Sequence, residues 1–479
     1  MHAENLAHAV RNLRLRPDGP VEGRRIPEAR AHGTVEAARV PIYPQTMLEL
    51  IDGRDQGAPV HIARPTPAGR AAGPDADVKT IVDDVRLRGD AAVLALTERF
   101  DHARLTPEKL RVEPEVIAHA VKLVRPELID ALKSLDARLS RTCERQLPSG
   151  WMERSGSELV GELIRPFRRI GIYTPGGRAA YPSSVVMAAV PARVAGVGTV
   201  ALCSPPDGRG EIAEAVLAAC SVAGIDEVYR MGGAQAIAAF AYGTETVRPV
   251  EKIVGPGNTY VTLAKRRVRG WVGVDAEAGP TELVVIADGT AAPEVAAADL
   301  VAQAEHGPLG AHVLITWEPE VAEAVMTHLE LAVARHERSE DVENALIEGG
   351  RAVLVRDLAH AMDTANAFAP EHLQLMFAGA LDALDGVRNA GAVFVGPNSP
   401  VPVGDYAGGT NHILPTGGSA RWSSGLGAQD FVKRIYVSGG EPQALAQLAP
   451  HIDALAEAEG LPGHARAVRA RLGSGKGLL

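Results

Sequence analysis

From about residue 168 the chain changes texture, as short apolar runs begin to alternate with Ala-rich stretches at helical spacing. The runs at 170–173, 199–203, 227–230 and 252–254 read as strands, with helices at 211–223 and 234–241 between them. A second series follows at 283–287, 312–316, 352–355 and 392–395. Regular strand–helix alternation admits few folds, because parallel strands need crossover helices that pack on the faces of the sheet. The expectation is an α/β protein with two Rossmann-like, doubly wound domains, incomplete and related as a degenerate duplication. Strand order is not legible from the chain.

The flanks differ. Residues 75–147 carry apolar residues at helical spacing within a charged background, and the last thirty-five residues are again periodic and rich in Ala and Leu. Between 395 and about 424 lies a long stretch of Gly, Pro, Ser and Asn, and a loop of that length in a compact protein is usually functional or disordered. The 479 residues suffice for roughly three domains. A net charge of −10 speaks against a nucleic-acid partner, and no apolar run approaches the ~18 residues of a membrane span. The three cysteines form no CxxC pair, which fits a reducing, cytoplasmic setting with buried, inert thiols. Residues 1–46 lack a signal-peptide core and read as an extension without stable structure, with Met47 an alternative start.

Several clusters could carry chemistry. Pro175-Gly-Gly-Arg178, Gly232-Gly-Ala-Gln-Ala236 and Gly255-Pro-Gly-Asn258 each follow a strand candidate, where an open α/β sheet places ligands. None is a GxGxxG fingerprint, so phosphate cradles and ordinary tight turns both remain open. Gln303-Ala-Glu-His306 ends an Ala-rich helix, and Gly307-Pro308 stops it. Its Gln and His share one helix face and could meet at one atom. Glu371-His372 pairs a carboxylate with an imidazole, which suits acid–base work divided over two stages. Asp405 and His412 sit in the long loop, and Glu459 and His464 flank a turn near the C-terminus. Taken together, Gln303, His306, Asp405 and His464 form an N/O ligand set in which two imidazoles and a carboxylate suit Zn²⁺, although Gln is an unusual zinc ligand.

In order and spacing these motifs resemble those of the histidinol dehydrogenase family, over about residues 75–472. The pieces are Tyr173-Thr-Pro-Gly-Gly, Gly232-Gly-Ala-Gln-Ala-Ile, Gly255-Pro-Gly-Asn, Ala278-Gly-Pro-Thr-Glu282, Gln303-Ala-Glu-His306, Pro370-Glu-His-Leu373, Gly404-Asp-Tyr-Ala, and Glu459 with His464. The resemblance implies oxidation of L-histidinol through L-histidinal to L-histidine, the last steps of histidine biosynthesis, with NAD⁺ as acceptor. It implies one Zn²⁺ per subunit, held by Gln303, His306, Asp405 and His464, mainly to position the substrate. His372 would be the base for alcohol oxidation, and Glu371 would activate water for aldehyde oxidation. Substrate would meet Thr281, Gln303, His306, His372, Asp405, Glu459 and His464. NAD⁺ would meet Tyr173, Gln235 and Asn258. Some family members carry Ser where Thr281 stands, which keeps the hydroxyl.

The resemblance also implies a homodimer whose C-terminal segment enters the neighbour's site. The domain plan it brings is a helix-rich region at 47–147, a first α/β domain from 148–170 with 281–425, a second on the nucleotide side at 171–280, and an exchanged helical domain at 426–479. A paralogous zinc- and NAD-dependent enzyme such as sulfopropanediol dehydrogenase is the rival reading. Glu459 weighs against it, since a carboxylate suits an imidazole N–H and repels a sulfonate.

Overall fold

The computed structural model describes residues 47–65, 73–176, 180–276 and 279–473. The expected extension at 1–46 therefore lies outside the described residues. In chain order, β1 (Glu49–Asp52) precedes a run of helices ending with Pro126–Gln146. A hairpin follows, β2 (Trp151–Ser155) and β3 (Glu158–Pro166). Then β4 (Arg169–Tyr173), β5 (Thr199–Ser204), β6 (Glu227–Arg230), β7 (Lys252–Val254) and β8 (Gly273–Val274) alternate with helices. The second series is β9 (Glu282–Ala287), β10 (Ala311–Thr316), β11 (Gly350–Leu354), β12 (His372–Met376) and β13 (Ala392–Val395). β14 (Val432–Gly440) leads to two closing helices, Pro442–Ala458 and Pro462–Gly473.

Two parallel sheets form the body, in the orders β1-β11-β10-β9-β12-β13 and β6-β5-β4-β7-β8. Every residue of β9, β10 and β12 is buried, as expected for strands covered on both faces. Full burial of each Val, Leu or Ile side chain there contributes roughly 1.5–3 kcal/mol. In each sheet the winding reverses beside the first strand of its alternating series, between β9 and β12 in one and between β4 and β7 in the other. Such reversals open a crevice between neighbouring loops.

Three parts of the expected domain plan are corrected. Residues 47–147 are not a separate helical region. Their β1 completes the six-stranded sheet, and their helices pack over the helices that lie on the two faces of the five-stranded one. Alternation within the strands divides the core: Ile170, Ile172 and Leu202 lie on the side of the Pro182–Val194 helix, with Pro126–Gln146 beyond it, whereas Tyr173, Ala201 and Cys203 lie on the side of the Gly233–Tyr242 helix, with Gly73–Arg88 beyond it. Residues 148–170 do not join the first α/β domain, because β2 and β3 form a separate antiparallel sheet with β14 while β4 belongs to the second domain. The 426–479 segment is accordingly not wholly helical. Its β14 pairs with β3 over nine residues, and the closing helices rest on that strand and on each other. All three cysteines are buried, and burial pushes the Cys143 thiol up to about 11. Among the described residues no helix is long and apolar enough to cross a membrane.

Candidate active site

Strand polarity assembles the first cluster. β9 ends at Ala287, and the helix Pro293–Ala304 runs back beside the sheet. Its C-terminal turn, with Gln303 and then His306, thus arrives at the edge where β9 and β12 begin. Thr281 stands just before β9, Glu371 just before β12, and His372 opens β12 paired with Leu283. A helix C-terminus carries partial negative charge and favours a cation nearby.

The hydrogen bonds are mutual. Glu371 Oε2 accepts from the Thr281 hydroxyl at 2.7 Å and from the Glu282 backbone N–H at 2.9 Å. The Gln303 amide donates to Thr281 Oγ1 and lies 3.5 Å from His372 Nδ1. His372 Nδ1 sits 3.0 Å from the Glu282 carbonyl oxygen. With Nδ1–H donating to that carbonyl, Nε2 keeps its lone pair. Nε2 is buried and has no hydrogen-bond partner among the described residues. The ring lies against Phe394, with centroids 5.9 Å apart.

Burial separates the two titrations. It pushes the Glu371 carboxyl up to about 8, against the stabilising bonds from Thr281 and Glu282. It holds the His372 imidazole below its usual range, only partly offset by the Asp405 carboxylate. His306 stands at the mouth of the cluster, open to solvent on one side, and its crowding against protein lowers its pKa. Asp405 belongs to the single π-helical turn Val403–Ala407, and burial raises its carboxyl to about 6.

The nucleotide candidates sit at the opposite kind of edge, the carboxyl ends of the second sheet. Tyr173 ends β4 and is buried, and its phenol oxygen accepts from the Gly233 N–H at 3.3 Å. Gln235 is buried on the helix Gly233–Tyr242. Asn258 caps the next helix by accepting from the Val261 N–H at 3.1 Å. Gly255 has φ +112, and a side chain there would collide with the Tyr173 carbonyl. Its N–H donates at 2.7 Å to Asp275, whose other oxygen is 2.6 Å from Lys265 in a fully buried ion pair.

The two edges adjoin. Ser184, in the first turn of the Pro182–Val194 helix behind the Tyr173 loop, lies 3.0 Å from His412 Nε2. His412 Nδ1 lies 3.1 Å from the Asp405 carbonyl oxygen. Asn411 also donates to the Met187 carbonyl at 2.7 Å. The long loop is therefore pinned to the Pro182–Val194 helix of the five-stranded-sheet domain.

Thr281, Gln303, Glu371 and His372 meet directly, and His306 and Asp405 lie within electrostatic reach of His372. Glu459 and His464 are exposed, and their side chains form no hydrogen bond or ion pair with this group. Among the described residues no cluster of three or more His, Cys, Asp or Glu has metal-holding geometry within one chain. Sequence reading missed the support given by Glu282, which acts through its backbone and leaves no side-chain signature. It also missed Ser184, a lone serine in an apolar helix.

Residues 67–472 match the family model of histidinol dehydrogenase. The histidinol dehydrogenase of Methanothermobacter thermautotrophicus is 45% identical over 401 residues, which are 84% of this chain and 93% of that protein. That of Moorella thermoacetica is 45% identical over 429 residues, 89% of this chain and 100% of that protein. The crystal structure of histidinol dehydrogenase from Elizabethkingia anophelis superposes with a TM-score of 0.84 at 35% identity, covering 90% of this chain and 99% of that one. Fold, site and relatives together define an NAD-dependent oxidoreductase. The chain belongs to the histidinol dehydrogenase family.

Proposed function

We propose that this chain oxidises L-histidinol to L-histidinal and then to L-histidine, giving up two hydrides to NAD⁺ at one site, in the cytoplasm. The carrying observation is the Glu371–His372 pair, two adjacent groups on one backbone support whose protonation is driven apart by burial. Such divergence is how one site divides acid–base duties. Neutral His372, anchored through Nδ1, takes the alcohol proton at Nε2 as hydride leaves the carbon. Glu371, as carboxylate, takes a proton from the water that adds to the aldehyde, and the hydrate yields the second hydride and the acid. Thr281 and the Glu282 N–H hold that carboxylate in place.

NAD⁺ would lie along Tyr173, Gln235 and Asn258, at the carboxyl ends of β4 and β7 beside the N-terminal ends of the Gly233–Tyr242 and Thr259–Val268 helices, where backbone N–H groups favour phosphate. A Zn²⁺ fits Gln303, His306 and Asp405: the residues offer amide oxygen, imidazole and carboxylate, and among the described residues no cationic side chain is bonded to Asp405. When bound it would supply a positive template for the substrate's nitrogens. The fourth ligand would be His464 of the partner subunit. Exposure of both Glu459 and His464, and of Trp151, Met152, Tyr436 and Leu455 on the same antiparallel arm and closing helices, supports a dimer with exchanged C-terminal segments.

The test is NAD⁺ reduction by the purified chain with L-histidinol, with and without a chelator. About two NADH should form per histidinol consumed, as the two hydrides of a four-electron oxidation require, with activity lost on chelation and restored by zinc. A stoichiometry of one, or activity indifferent to chelation, would sink this reading or its metal.

A further inference from the structure

Arg64 lies outside the span that matches the family model, in the stretch that follows β1. Its guanidinium makes a forked ion pair with Glu282, Nε to Oε1 at 2.5 Å and Nη2 to Oε2 at 3.2 Å. Glu282 is 2% exposed. The same Nη2 donates to the Phe368 carbonyl at 2.6 Å and approaches that of Ala369 at 3.4 Å. The guanidinium carbon also stands 3.8 Å from the Phe368 ring centroid. These carbonyls close the helix Leu358–Phe368, and Ala369 takes a left-handed φ of 56 immediately before Pro370-Glu371. A cation bonded to a helix's last carbonyls stabilises that end.

One side chain thus clamps two short segments that must stay in register. On one side is Glu282, whose N–H grips Glu371 and whose carbonyl orients His372. On the other is the turn that delivers Glu371 itself. A further bond adds to it, as the Gly417 N–H donates to Glu282 Oε1 at 3.1 Å. We infer that Arg64 is a positioning residue for the reaction, holding the Glu371–His372 pair in its working geometry without touching substrate. This rests on the acid–base roles proposed above.

The geometry singles out a guanidinium. Lysine can neutralise Glu282, but its point charge cannot also fork to the helix carbonyls. An offset of about 1 Å at reacting groups can cost about a hundredfold in rate. The variant Arg64→Lys should therefore fold, melt within a few degrees of the parent, and lose about tenfold in kcat with KM for both substrates within about twofold, the pattern of a lost transition-state alignment. In Arg64→Ala the loss should reach about a hundredfold, and millimolar guanidinium ion should restore part of it by refilling the vacated site. A folded Arg64→Lys with kcat within twofold of the parent overturns the inference, as does a loss confined to KM, or an Arg64→Ala defect that guanidinium leaves unchanged. The parent enzyme, assayed beside them, keeps the two ideas apart: no NADH from the parent defeats the functional reading, whereas an active parent with unaffected variants defeats only the role of Arg64.

Discussion

Glu371 and His372 share one support, the Glu282 peptide, and burial favours the neutral form of both, raising the carboxyl and lowering the imidazole. The raised carboxyl has a direct kinetic consequence. Glu371 must be ionised to accept a proton from water, and its pKa of about 8 leaves it mostly protonated at neutral pH. Oxidation of added L-histidinal should rise with pH and level off above about 8, losing about tenfold per unit well below it. A flat profile between pH 6 and 9 would speak against Glu371 as the base. Glu371→Gln should slow the aldehyde step about 10²–10⁴-fold, the usual weight of a general base, while leaving the first hydride transfer largely intact. Stopped-flow traces begun from the alcohol and from the aldehyde separate the two steps. Equal losses in both would return Glu371 to a structural role.

Elements explain how far the sequence could be read. The central parallel strands were legible because they are short, apolar and buried on both faces, so composition alone marks them. The antiparallel sheet was not. β2 is exposed throughout, β14 is mostly exposed and β3 is only partly buried, so none carries the buried apolar run that marks the parallel strands. The strand β1 was equally hidden, four residues with a single partner at the sheet edge. Within the site, Gln303 and His306 could be seen from their spacing at a helix end. The contact of Gln303 with Thr281 and its approach to His372 depend on the helix returning beside β9, which local pattern does not encode. At the nucleotide edge, Gly255 carries a testable load. Gly255→Ala must accommodate both a disfavoured φ and contact with the Tyr173 carbonyl, a backbone strain of order 1–3 kcal/mol. A lower melting temperature and a raised KM for NAD⁺, with KM for histidinol little changed, are expected. Unaltered NAD⁺ kinetics would detach this loop from cofactor binding.

On the scale of the whole molecule, the Glu371–His372 cluster lies at the amino ends of one sheet and the proposed nucleotide residues at the carboxyl ends of the other, joined through Ser184, His412 and the Asp405 loop. If the closing helices complete a neighbour's site, two defective subunits should cure each other. His372→Ala and His464→Ala homodimers, each inactive, should regain activity when subunits are exchanged, up to about a quarter of the parent for randomly paired chains with shared sites. No recovery under conditions that demonstrably mix subunits would confine each site to one chain.

The pairing of β3 with β14 joins residues roughly 270 positions apart, with both α/β domains threaded between them. During synthesis the β2–β3 hairpin leaves the ribosome long before its third strand exists. Contacts of such separation form late, after the intervening loop has been closed. Until then β3 offers a bare edge of nine residues to any passing strand, the situation in which nascent chains cross-pair and aggregate. Yield on refolding should therefore be set by how quickly the last tenth of the chain finds that edge, well after the two domains carrying the chemistry have taken shape.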